Sequence, residues 1–302
     1  MRSASDTVTP LERIFRRDRA VVLGALGVVV LASWAYVLAG AGMGMSAWEM
    51  SSLDLALGRA KPMPVGDVSV HAMIGGQLSA TMCDAMSAMA TPARWNLEYA
   101  GIMVSLWWVM MIAMMLPSAA PLILLYAAIA RRQREKGNDA LLPTGIFASG
   151  YVAVWGCFSV IAAALQWRFE AAGILSPMMM NSTSLLFAAA ILVAAGLYQL
   201  TPAKQACLRH CRSPIQFLAG HWRPGRWGAF WMGAEHGAYC LGCCWALMTL
   251  LFFGGVMNLY WIAGLAVIVL LEKTVPAGDT LGKLTGSLLV LWGATFLYQG
   301  MA

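Results

Sequence analysis

Charge is what this sequence has least of. Lysine and arginine number 20, aspartate and glutamate 14, and together they make up 11% of the 302 residues, where a soluble domain carries roughly a quarter. The hydrophobic share is 60%, and several uncharged runs reach the ~20 residues that cross a bilayer as a helix. A water-soluble globular domain is therefore excluded. Also missing are a phosphate-binding loop, a dinucleotide fingerprint and a Gly-x-Ser-x-Gly elbow. No repeat of fixed period is present, so an inverted-repeat transporter is not indicated. The seven cysteines are odd in number and clustered, unlike a secreted disulfide framework.

What the chain does hold is a succession of apolar segments, which predicts an all-α fold: a polytopic transmembrane helix bundle of six or seven membrane helices. Residues 1–19, with Arg2, Arg13, Arg16, Arg17 and Arg19, are expected to form a cytoplasmic N-terminal tail. Residues 20–302 read as a single transmembrane helical domain. Ala20–Ala41 exceeds the 7–15-residue core of a cleaved signal peptide, so a retained anchor is expected. Further helices are predicted over about 101–130, 144–168, 183–201, 228–253, 257–272 and 280–300, the last weakened by Gly286 and Gly293. A methionine-rich loop, 44–100, is expected on the extracytoplasmic side, and a basic loop at 202–227 on the cytoplasmic side. In this layout all but four of the 20 basic residues (Arg59, Lys61, Arg94 and Arg168) fall on the cytoplasmic side. That matches the positive-inside rule and predicts a multi-pass protein of a bacterial inner membrane with its N-terminus in the cytoplasm. The net charge of +6 thus follows from topology, and no nucleic-acid partner is needed; the bilayer is the expected environment, and a homo-oligomer is left open.

The chemistry-bearing stretch is Met232–Met248. On a helix, His236, Cys240, Cys243 or Cys244, and Met248 share one face. Thiolates and thioethers select soft ions such as Cu(I), and imidazole suits copper and zinc. A free cysteine is also a small hydrophobe that packs well, so both readings stand at each position taken singly. The small residues Ala238, Gly242 and Ala246 allow another helix to come close. The 101–130 segment can then add Met110, Met114 and Met115 at a matching depth. Pro117 in that segment frees a carbonyl one turn back. Glu235 and Glu272 are costly in apolar helices. They are either ion-paired, with Lys273 or Lys283 as neutralising groups, or steps on a cation or proton path. Cys207, His210 and Cys211 offer three ligands in the basic loop, as reactive thiols or as a docking point for a metal carrier. In the outer loop, methionines from Met45 to Met89 with His71 and Cys83 are a further, weaker metal signal.

Three strings carry a resemblance: WWVMMIAMMLPSAAPLILLY, GLYQLTPAKQACLRHCRSP and HGAYCLGCCWALMTLLFFGGVMNLYW. Over about residues 95–275 the chain resembles a bacterial family described as predicted metal-binding integral membrane proteins, built on a domain of unknown function. The resemblance implies metal binding within the membrane, at positions matching His236, Cys240, Cys243, Cys244, Cys207 and Cys211, with His210 between two motif cysteines. The expected function is binding of a copper ion (zinc being the alternative) for transport, delivery or homeostasis, with a metal carrier or metalloenzyme as partner. Outer methionines would collect the ion, the Met114/Cys243 level would pass it toward His236 and Glu235, and Cys207 and Cys211 would hand it on. The rival expectation is a membrane-bound copper or redox enzyme, an oxidase or thiol oxidoreductase, using the same cluster. Whether the chain is an enzyme is not decided by its sequence.

Overall fold

The computed structural model describes residues 10–42, 46–48, 51, 95–132, 141–177 and 180–301. The outer-loop methionines Met45, Met50, Met63, Met73, Met82, Met86 and Met89, with His71 and Cys83, lie outside the described residues.

The described residues form an all-α helical bundle. The elements are α1 (Pro10–Leu38), α2 (Leu97–Arg132), α3 (Leu141–Ala171), α4 (Leu185–Leu200), α5 (Pro202–Arg212), α6 (Pro214–His221), α7 (Gly225–Met248), α8 (Leu251–Gly254), α9 (Leu259–Thr274) and α10 (Gly278–Met301). Five helices are long and apolar enough to cross a membrane: α1, α2, α3, α7 continued through α8, and α10. A sixth span results only if α4 and α5 are taken together across a 63° bend. Exposed Leu31, Val160, Ile161, Leu197, Leu288 and Leu291 give these helices the outward apolar face that hydrocarbon requires. Helix α9 has 16 residues, about 24 Å, and falls short of a hydrocarbon layer ~30 Å thick.

The structure differs from expectation at both basic segments. Helix α1 starts at Pro10, inside the stretch expected as a polar tail. The expected loop at 202–227 contains two short helices, for a local reason. Thr201 precedes Pro202 and is held extended (φ −73°, ψ 148°), which ends α4. Its side chain then accepts from the Lys204 amide at 3.3 Å, and Pro202 occupies the first turn, so α5 starts at once. At α6 only the proline is repeated: Pro214 occupies the first turn, and Ser213 makes no side-chain cap.

Helix α3 packs along α7, α4 along α10, and α5 crosses α7. The α4–α10 contact depends on glycine: a Cβ on Gly196 would stand 2.7 Å from the Gly286 carbonyl oxygen, so no side chain fits between the backbones. The glycines that weakened the helical pattern of the last segment are its packing face. At one end of the bundle, Phe169 of α3 meets Phe187 of α4 and Phe252 of α8. Toward the other end, α5 and α6 fold in against α7 and α2. Met115 lies ~27 Å along α2 and Lys273 ~21 Å along α9, counted from the first end.

Candidate metal centre

On α7, Met232, His236, Cys240, Cys243, Cys244 and Met248 are all buried. Cys240 is the most heavily engaged. Its Sγ lies 3.0 Å from the Tyr151 hydroxyl on α3 and accepts from Lys273 Nζ of α9 at 2.9 Å. Cys244, one turn on, sits 3.8 Å from the Met115 thioether of α2 and 2.9 Å from the Cys240 carbonyl oxygen. Cys243 lies 3.1 Å from the same carbonyl. Cys240, Cys243 and Cys244 lie close enough to influence one another electrostatically, and Cys211 of α5 stands in the same relation to Cys243. Four thiols from two helices are therefore neighbours, a loose thiol chain with a thioether beside it. Cys207, one turn before Cys211, packs on the bare backbone of Gly242, where a Cβ would come within 2.8 Å of its Sγ.

The α2 side of the site lies in the stretch that holds its two prolines. With Pro117 and Pro121 inside the helix, amides that would bond carbonyls one turn back are missing. In this stretch the Met115 carbonyl accepts from Ser118 Oγ at 2.8 Å and from the Tyr151 hydroxyl at 3.1 Å. Ser118 in turn accepts from Lys273 Nζ at 3.2 Å. The Met115 turn, Tyr151 and Lys273 are thereby tied to the same thiol.

The YQLTP-to-RSP string is a scaffold for this arrangement. The Tyr198 hydroxyl donates to the Gly242 carbonyl on the thiol helix. Gln199 Nε2 and Lys204 Nζ donate to the two oxygens of Glu272, at 2.8 and 2.7 Å. Arg212 binds Asp279 at 3.1 Å and the carbonyls of Val275 and Pro276 at 2.8 and 2.6 Å. These bonds hold α5 against α7, α9 and α10, with Cys207 and Cys211 turned to the thiol helix.

The other candidates are placed differently. Met110 and Met114 are buried on α2, at 0% and 2% exposure. His236 is buried one turn before Cys240, stacked on Tyr151 with ring centroids 5.8 Å apart, and its Nδ1 has no hydrogen-bond partner among the described residues. An orphaned buried nitrogen costs stability, on the order of 1–3 kcal/mol, and a free imidazole lone pair beside thiols is what a soft metal uses. Glu235 is bound by Arg223 at 3.1 Å and faces His221 at 3.3 Å. Glu272 is neutralised by Lys204, not by Lys273 or Lys283. His210 is exposed and stacked on Tyr239, 4.2 Å between centroids. None of these three contacts the thiol chain through the bonds described. Sequence reasoning missed Tyr151, which carries no signal in its apolar segment, and misassigned Lys273, whose partner is a thiol.

Among the described residues, no three histidine, cysteine, aspartate or glutamate side chains converge as a closed metal site. The thiols run along the helix instead, a pair at a time, with methionine as neighbour. Such a set is poor for a tetrahedral ion such as structural zinc and suits Cu(I), which accepts few soft ligands. No curated protein and no solved structure matches the chain. A family model described as copper chaperone, PpoB2, matches residues 104–296, from the first turns of α2 through most of α10. That stretch takes in every thiol, thioether and lysine of the centre and more than half of the sequence, so the chain belongs to the PpoB2 copper chaperone family.

Proposed function

We propose that this protein is an integral membrane copper carrier that holds Cu(I) between the thiolates of Cys240 and Cys244 and the thioether of Met115. The observation that carries this reading is the 3.8 Å approach of Met115 to Cys244, whose thiol and that of Cys243 both turn to the Cys240 carbonyl. Copper arrives as cargo. Each binding thiol loses its proton as the sulfur–metal bond forms, and no electron is transferred. Cys243 and Cys211 offer the next pair of sulfurs, so the ion can move by ligand exchange, one bond forming as another breaks. Cys207 lies one turn before Cys211 on α5. His236, with its unclaimed Nδ1, is an auxiliary ligand on the Cys240 side.

The distribution of lysine and arginine supports a bacterial cytoplasmic membrane with the N-terminus inside. In that orientation α5 and α6 cover the cytoplasmic end, and the thiol chain opens toward a carrier or copper enzyme that exchanges the ion. The test is elemental analysis of purified, reduced protein after anaerobic loading with Cu(I). Near-stoichiometric copper in the wild type and its loss in Cys240→Ser/Cys243→Ser/Cys244→Ser is the expected result. A wild type free of copper, or a triple variant that retains it, overturns the proposal.

A further inference from the structure

Among the described residues two lysines are buried near the thiol chain, and of these only Lys204 is paired with a carboxylate. Lys204 is paired with Glu272 at 2.7 Å, and the second Glu272 oxygen is taken by Gln199. Lys273, the next residue along α9, makes no ion pair among the described residues. Its Nζ donates to Cys240 Sγ at 2.9 Å and to Ser118 Oγ at 3.2 Å. Ser118 is itself anchored to the Met115 carbonyl at 2.8 Å, so the ammonium is positioned by the helix turn that supplies the thioether. A lysine side chain held in this way, 9% exposed in an apolar bundle, has its charge aimed at a sulfur.

We propose that Lys273 is a specificity-determining residue whose fixed ammonium matches the centre to a monovalent metal ion. The proposal rests on the two-thiolate site assigned above. Two thiolates and one Cu(I) sum to one negative charge, Met115 adds none, and the Lys273 ammonium brings the total to zero. A divalent ion on the same ligands leaves one uncompensated positive charge beside an ammonium. In a low-dielectric interior that excess is heavily penalised. The N–H···S bond needs no rearrangement on loading, because a metal-bound sulfur keeps a lone pair for the ammonium. Lys273 thus acts on the metal through Cys240, as an outer partner that tunes a ligand.

The experiment compares two thiophilic ions of different charge, Ag(I) and Cd(II), on purified, reduced, full-length protein. Wild type, Lys273→Met, Lys273→Arg and Cys240→Ser/Cys244→Ser are titrated in parallel. Wild type is expected to bind Ag(I) in strong preference to Cd(II). Lys273→Met should lower that preference by at least about tenfold, and Lys273→Arg should restore it. A merely structural lysine would not change the ratio. Unchanged preference in Lys273→Met overturns the proposal, as does an arginine variant that behaves like the methionine one. Wild type taking Cd(II) as tightly as Ag(I) also overturns it, and that arm needs no variant to fold. Ag(I) binding that survives in Cys240→Ser/Cys244→Ser removes the underlying site, and the charge assignment falls with it.

Discussion

Neighbouring residues of one helix, Glu272 and Lys273, do opposite work because their partners differ. Glu272 completes a buried ion pair with Lys204, both side chains almost fully sequestered at 2% and 0% exposure. Removing one partner strands the other charge, which costs about 3–5 kcal/mol. Lys204→Met should therefore lower the thermal unfolding midpoint in detergent markedly, and a melt within a degree or two of wild type would show the pair to be dispensable. Met115 allows a cleaner separation of fold from chemistry. Leucine conserves its volume, so Met115→Leu should cost less than about 1.5 kcal/mol of stability while removing the thioether. The expected outcome is a Cu(I) affinity at least roughly tenfold weaker, equivalent to about 1.4 kcal/mol, measured by competition with a Cu(I) chelator at near-normal stability. At this scale the thiols were legible in the sequence, since three cysteines within five positions of an apolar helix stand out. Lys273 was not, because no local pattern tells whether a lysine beside a glutamate neutralises it or turns to another helix.

Helix boundaries followed from short signals, and packing did not. Proline follows Thr201 and Ser213 at the starts of α5 and α6, with a side-chain cap at Thr201 only, whereas the charge of 202–227 suggested a loop. Helix α5 resolves the conflict, with Arg209 exposed and Cys207 and Cys211 turned toward α7. Gly286 and Gly293 misled in the other direction. Glycine lowers helical propensity, but here it lets α4 and α10 meet backbone to backbone, and only the partner helix reveals that. Gly286→Val should force the two helices apart, since a Cβ there already stands 2.7 Å from Gln199 Cβ and 2.8 Å from the Gly196 carbonyl oxygen. A loss of about 1–3 kcal/mol is expected, read as a lowered unfolding midpoint by circular dichroism. A valine variant as stable as wild type would contradict this account of the α4–α10 contact.

For the whole molecule, hydropathy was enough to read the all-α class, and the basic residues were enough to propose an orientation. The depth of the centre needed the fold. Helices α5 and α6 fold against α7 and α2, and Arg212 ties α5 to Val275, Pro276 and Asp279, so the thiols of α7 lie beneath this cover. The orientation has a direct check. A cysteine introduced at Arg134, in a background lacking native cysteines, should react with an impermeant maleimide only when the cytoplasmic face is exposed, as in inverted vesicles. Labelling from intact spheroplasts would reverse the topology. The central claim, a buried sulfur site for monovalent copper, is tested most directly by X-ray absorption on the Cu(I)-loaded protein. The account predicts a low-coordinate shell made mainly of sulfur, which loses a sulfur contribution in Met115→Leu and collapses in Cys240→Ser/Cys244→Ser. A shell dominated by nitrogen or oxygen, or one that both variants leave unchanged, would contradict it.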